Sequence, residues 1–90
     1  MNIEKTEKKH FIENEEGKIV AEITFVQAGA SKVIIDHTFV DESLRGQNIA
    51  SKLVASVVEE MREQDKKIVP LCPFAKAEFE RKKEYQDMLA

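Results

Sequence analysis

The sequence predicts an α+β fold: a compact β-β-β-α-β-α arrangement on a mixed sheet whose last two strands splay apart. Three observations carry that expectation. Segments among the first forty residues alternate apolar and polar side chains with the period of a strand. From Ile49 to Met61, apolar residues recur at i, i+4, the period of a helix. Two prolines, Pro70 and Pro73, then bracket the end of a short apolar run. Strand, helix and strand in that order form a right-handed crossover when the strands are parallel.

In chain order, Met1–Thr6 reads as a loose polar lead-in. Glu7–Glu13 is expected as a short edge strand, with His10 exposed on it. Asn14-Glu15-Glu16-Gly17 is a turn signal. In Lys18–Val26, Ile19, Ala21, Ile23 and Phe25 share one face while Glu22 and Thr24 lie on the other. That is the pattern of a half-buried strand, and it forms a hairpin with the strand before it. Gln27–Ser31 turns the chain into a third strand, Lys32–Val40. There Val33, Ile35, His37 and Phe39 point one way, and Ile34, Asp36, Thr38 and Val40 the other. Both sets are largely apolar, so this strand is expected to be central and covered on both faces.

A polar loop, Asp41–Leu44, leads to a helix from Asn48 to Gln64. Its stripe of Ile49, Leu53, Val57 and Met61, flanked by Ala50, Val54 and Val58, is wide enough to lie on a sheet. Glu59, Glu60, Arg62 and Glu63 are expected to face solvent. Asp65-Lys66-Lys67 ends the helix, and Ile68–Leu71 follows as a short strand parallel to Lys32–Val40. Pro70 and Pro73 lack N–H donors, so the ladder breaks near them and a cleft opens between the two strands. The N-terminus of the preceding helix points at the same edge. Phe74–Lys83 is a second helix and Glu84–Leu89 a last helical turn.

Size and charge narrow the function. Ninety residues suit one small domain over 1–90, with a modest core. A net charge of −3 argues against nucleic acid or an anionic membrane as the general partner. The single cysteine, Cys72, permits no intramolecular disulfide, which fits a reducing, cytoplasmic setting. No apolar run approaches the ~20 residues of a membrane span, and MNIEKTEKKH has no apolar segment behind it to make a secretory signal. Two histidines and one cysteine do not supply the donor spacing of a zinc site. Oligomeric state is not written in the sequence, and a monomer is the default.

The junction Arg45-Gly46-Gln47-Asn48-Ile49-Ala50 has the form of an anion cradle. A helix start leaves N–H groups without partners, and the macrodipole adds positive charge there. Gly46, Asn48, Ala50 and Ser51 are small or turn-tolerant, so a phosphate can approach the backbone. An ordinary β-α turn uses the same residue types. Ser51 and Lys52 lie within reach of phosphate oxygens, although Lys52 equally suits a solvated helix face. Cys72 sits between the prolines, just before a helix. A thiolate there is a nucleophile where the helix N-terminus or a neighbouring base favours its charged form; a buried, inert thiol is the plainer alternative. His37 is a candidate base, since imidazole titrates near neutrality, and a sheet histidine without chemistry is the alternative.

This layout, with Leu44-Arg45-Gly46-Gln47-Asn48-Ile49-Ala50, resembles the GNAT superfamily of acetyl-CoA-dependent N-acetyltransferases. Its pyrophosphate loop reads (Arg/Gln)-x-x-Gly-x-(Gly/Ala); Arg45 and Ala50 match it, and Asn48 departs from it at the glycine. Asn48 stands at the usual second glycine, and asparagine is the non-glycine residue best suited to left-handed backbone. The resemblance is closer to a minimal subgroup of about this length. Its marks are His37-Thr38-Phe39-Val40, Pro70-Leu71-Cys72-Pro73-Phe74 and Glu84-Tyr85. It spans roughly Glu7 to Leu89.

The resemblance implies that acetyl-CoA or CoA is held by the run Arg45-Gly46-Gln47-Asn48-Ile49-Ala50-Ser51, with Phe39 and Val40 beside it. It implies acetyl transfer to an amine, small or polypeptide, by direct attack or through an acetyl-Cys72 intermediate assisted by His37. Larger members carry helices between their first two strands that shape the acceptor site; only Asn14–Gly17 stands there in this chain. Their general-acid tyrosine falls on Phe79, which leaves a CoA-binding module without turnover as the alternative. Tyr85 is expected to pack the C-terminal turn, with a place near the thioester as the other reading.

Overall fold

Alternating side chains build most of the sheet seen in the computed structural model, which describes residues 2–90. The strands are β1 (Glu4–Lys5), β2 (Lys9–Glu13), β3 (Ile19–Gln27), β4 (Lys32–Val40) and β5 (Lys67–Pro70). They lie in chain order; β1 to β4 pair antiparallel and β5 runs parallel to β4. The crossover is helix α1 (Ile49–Glu63), and α2 (Pro73–Arg81) follows β5. Short 3₁₀ turns at Glu42–Leu44 and Lys83–Met88 complete the chain.

α1 packs against β2, β3, β4 and β5 and also touches α2. Both helices therefore cover one face of the sheet. The core lies between them and the sheet: Ala21, Ile23, Phe25, Val33, Ile35 and Ile68 from the strands meet Leu53, Val54, Val57 and Met61 of α1. The β-α-β crossover, the hairpin and the stripe of α1 are all as the sequence predicts.

The structure corrects the sequence reading in three places. The lead-in is partly ordered: Glu4 and Lys5 pair with Phe11 and His10, so β2 is not the edge. His10, expected to be exposed, is 0% exposed. It shares the inner face with Ile12, because the charged Lys9 and Glu13 take the alternate, outward positions.

The third correction concerns β4, which is covered on one face only. The register pairs Thr24 with His37 but Phe25 with Ile35, so Asp36 is an extra residue in β4. This β-bulge turns two consecutive side chains outward and reverses the parity beyond it. Val33 and Ile35 face the core before the bulge. Asp36 and His37 are both exposed, and Thr38 and Val40 take over the inner face. Ile23, the cross-strand partner of Thr38, is fully buried.

Candidate functional site

The ladder between β4 and β5 ends early. It runs from Lys32 opposite Lys67 to Ile35 opposite Pro70. Leu71 and Cys72 then both donate their N–H groups to the Ile35 carbonyl at 3.0 Å, and β4 continues alone to Val40. The two strands part as the prolines predict. Asp41 N–H bonds back to the Val20 carbonyl. By strand alternation, the backbone groups of Thr38 and Val40 then face the gap left by β5.

At the end of β4, Asp41 closes the 3₁₀ turn by accepting hydrogen bonds from Ser43 N and Ser43 Oγ at 3.1 and 2.6 Å. Those bonds hold the Asp41 carboxyl below its usual range. Two left-handed residues follow: Gly46 at φ 85 and Asn48 at φ 61. A Cβ at Gly46 would meet nothing within 4 Å, so glycine serves there for its backbone freedom and not for space. Asn48 adopts the left-handed conformation that asparagine tolerates better than other non-glycine residues, and its side chain does not cap α1. No backbone N–H from Gly46 to Ser51 finds a protein acceptor among the described residues. This is an open set of donors at a helix start, where partial positive charge collects.

These amides line an open groove of about 720 Å³, walled by Val40, Leu44, the run Arg45–Ser51, Phe74 and Arg81. Of the residues singled out from sequence, Val40 and the whole of Arg45–Ser51 are brought together here. Lys52 is exposed and lies outside it. Phe39, expected beside Val40, projects from the open sheet face opposite Glu22 and is 41% exposed. The bulge is the reason.

Cys72 is buried as the cap of α2, where its Sγ accepts the Ala75 N–H at 3.4 Å. Its other neighbour is Thr38, whose Oγ1 is 3.2 Å from Sγ. His37 does not meet Cys72: the bulge turns it to the open face beside Thr24. Thr38 is thus the residue the sequence reading missed. The signal was present in the strand itself, but a one-residue bulge decides which neighbour faces inward. Phe79 is buried against Tyr85, with ring centroids 5.2 Å apart. Tyr85 packs the C-terminal turn, as its structural reading has it.

A second cluster looks catalytic in composition but not in setting. His10 Nδ1 lies 2.8 Å from Ser56 Oγ and Nε2 lies 3.3 Å from a Glu60 oxygen. Ser56 donates its hydroxyl to the Leu53 carbonyl at 2.7 Å, and both His10 and Ser56 are buried. The cluster ties β2 to α1 and offers no open nucleophile. Burial holds the imidazole below its usual pKa against the opposing pull of Glu60, with Lys5 adding to the lowering. Glu60, expected in solvent, is drawn half inward by this contact. Among the described residues, no cluster of His, Cys, Asp and Glu could hold a metal ion, and no helix is long and apolar enough to cross a membrane.

Comparison with known proteins agrees with this fold. A family model described as GCN5-related N-acetyl-transferase matches residues 9–88. Among solved structures, a Staphylococcus aureus protein described as GCN5-like is 38% identical, with a TM-score of 0.82 over 99% of this chain and 87% of its own. A Bacillus cereus acetyltransferase is 30% identical, with a TM-score of 0.59 over 67% of this chain and 43% of its own. A GNAT-family acetyltransferase of Staphylococcus aureus, 24% identical at a TM-score of 0.59, shares the fold; 67% of this chain aligns with 39% of that one. This chain thus spans less than half the length of the latter two. No curated protein matches it.

Proposed function

The chain belongs to the GCN5-related N-acetyltransferase family, and on that premise we propose that it transfers the acetyl group of acetyl-CoA to an amine. The observation that carries the reading is the groove. Open amides from Gly46 to Ser51 and the Arg45 side chain make it a site for a diphosphate. Beside it, the parting of β4 and β5 exposes the Thr38 and Val40 backbone groups to an extended ligand arm. Acetyl-CoA supplies an acetyl group activated as a thioester.

Two routes fit the residues at hand. In the direct route, the amine nitrogen attacks the thioester carbonyl. The N–C bond forms, the C–S bond breaks, and the proton shed by the amine ends on the departing thiol. In the covalent route, Cys72 Sγ attacks the thioester carbonyl, the bond to CoA sulfur breaks, and CoA leaves as its thiol with the Cys72 proton. The amine then attacks acetyl-Cys72, and its proton restores the Cys72 thiol. Thr38 Oγ1 donates to Sγ while it is charged, and the Ala75 N–H does the same. His37 stands on the open face next to Thr38, where it serves as base for an amine arriving over the sheet. Among the described residues no helix stands between β2 and β3, which suits a bulky acceptor.

The alternative is a CoA-binding module without turnover, favoured by the buried Phe79 at the position of the family's general acid. Intact mass spectrometry after incubation with acetyl-CoA tests the covalent route: an acetyl adduct is expected in the wild type and absent in Cys72→Ala. Release of CoA on adding a panel of amines separates turnover from binding alone. A chain whose melting temperature is unmoved by saturating acetyl-CoA would falsify both readings.

A further inference from the structure

Among the described residues, the charged side chains lining the groove at the start of α1 are both arginines, Arg45 and Arg81, and no carboxylate lines it. In a chain of net charge −3, this groove presents two cationic side chains. The cavity bordered by Glu7, Glu60 and Lys66 and the one bordered by Lys76, Glu80 and Lys83 both mix signs. Arg81 comes from the last turn of α2, a different element from the loop that carries Arg45, so the two cations approach the groove from separate walls.

Arg81 is also held in place. Its guanidinium pairs with the carboxylate of Glu78, one turn earlier on α2. Glu78 is only 1% exposed. Lys82 Nζ lies 3.2 Å from Glu78 Oε1, but off the line of a hydrogen bond, so that buried oxygen has no donor among the described residues. A buried carboxylate is costly unless cations attend it. Glu78 therefore draws Arg81 and Lys82 to itself, and the trio keeps one net positive charge. A guanidinium carries five N–H donors, so its pairing with Glu78 leaves others for a ligand while restricting the side chain's motion.

We infer that Arg81, held by Glu78, is a specificity residue for the ribose 3′-phosphate of CoA, while Arg45 and the amides of Gly46 to Ser51 take the pyrophosphate. The inference rests on the CoA reading above. A ligand with two anionic groups separated by a ribose needs two cationic contacts on different walls. The groove offers that pair, and a ligand carrying the diphosphate alone would leave Arg81 unused.

The test is calorimetric titration of the wild type, Arg81→Gln and Arg81→Lys with CoA and with 3′-dephospho-CoA. The wild type is expected to bind CoA about tenfold more tightly than the dephospho form, as one charge-assisted contact implies. Arg81→Gln is expected to lose that preference by weakening CoA alone, and Arg81→Lys to keep part of it. Both variants are expected to fold, because the Arg81 side chain is 66% exposed and Lys82 still attends Glu78. Equal affinity of the wild type for both ligands, or a preference that survives Arg81→Gln, overturns the assignment and leaves the CoA reading standing. A wild type that binds neither ligand removes the CoA reading itself.

Discussion

Thr38 Oγ1 lies 3.2 Å from Cys72 Sγ, so the free end of β4 and the cap of α2 meet at one sulfur. The hydroxyl is the nearest side-chain donor for a charged sulfur. Thr38→Val keeps the shape and removes that donor. Alkylation of Cys72 by iodoacetamide at neutral pH is expected to slow roughly tenfold, the scale of one hydrogen bond to a charged group. Thr38→Ser should restore the rate. Equal rates in Thr38→Val and the wild type would show that the contact does not activate the thiol.

Asn48 fixes the shape of the cradle through φ 61 and ψ 28. Glycine adopts that conformation without strain, so Asn48→Gly is expected to leave acetyl-CoA affinity within about threefold, less than the ~1.4 kcal/mol of a tenfold change. A β-branched side chain there is strained by about 1–2 kcal/mol. Asn48→Val should therefore lower the melting temperature and weaken binding together. Titration calorimetry and thermal melts check both arms; a large gain in affinity for Asn48→Gly would mean that asparagine compromises the cradle.

His10 gives a pH dependence with a definite sign. Its pKa in the folded chain lies below the ordinary value because burial disfavours the imidazolium. The unfolded chain therefore binds this proton first as the pH falls. Stability from this group is complete above about pH 6.5 and declines below it, by at most about 1.4 kcal/mol per pH unit for one proton. Urea titrations at pH 7.5, 6.5 and 5.5 should show the decline in the wild type. His10→Gln should be less stable at pH 7.5 yet flatter across this range. An unchanged slope would assign the decline to other groups.

Leu53 is fully buried on the sheet-facing side of α1. Leu53→Ala is expected to cost about 2–5 kcal/mol. That is a large share of the roughly 5–13 kcal/mol available to a chain of this size. Chemical denaturation should show the midpoint falling while the m-value stays constant. A loss under 1 kcal/mol would mean that the core closes around the gap.

Much of the architecture was legible because it rests on local periodicity. The stripe from Ile49 to Met61 gave α1 within a residue at either end, and the alternation in Lys18–Val26 gave β3, observed one residue later at each end. Pro70 and Pro73 gave the parting of the strands, since two residues without N–H donors so close together leave the ladder little to continue on. Part of the cradle was equally legible: few residues other than glycine and asparagine tolerate positive φ, and Gly46 and Asn48 both adopt it.

The positions of His10, His37 and Thr38 were not legible. Parity along a strand follows from its sequence only while the register is regular. The extra residue Asp36 reverses that parity, sending His37 and Phe39 outward and Thr38 toward Cys72. No local pattern in Lys32–Val40 announces this, because a bulge depends on how β3 and β4 pair across the Gln27–Ser31 turn. His10 was hidden in the same way: its burial depends on α1 arriving over β2 some forty residues later. Arg81 reaches the groove only because α2 packs beside α1. The sequence by itself determined the elements, the strand break and the backbone freedom of the loop, which are properties of neighbouring residues. The tertiary structure decided which side chains meet, because burial and contact are set by pairing and packing between segments far apart in the chain.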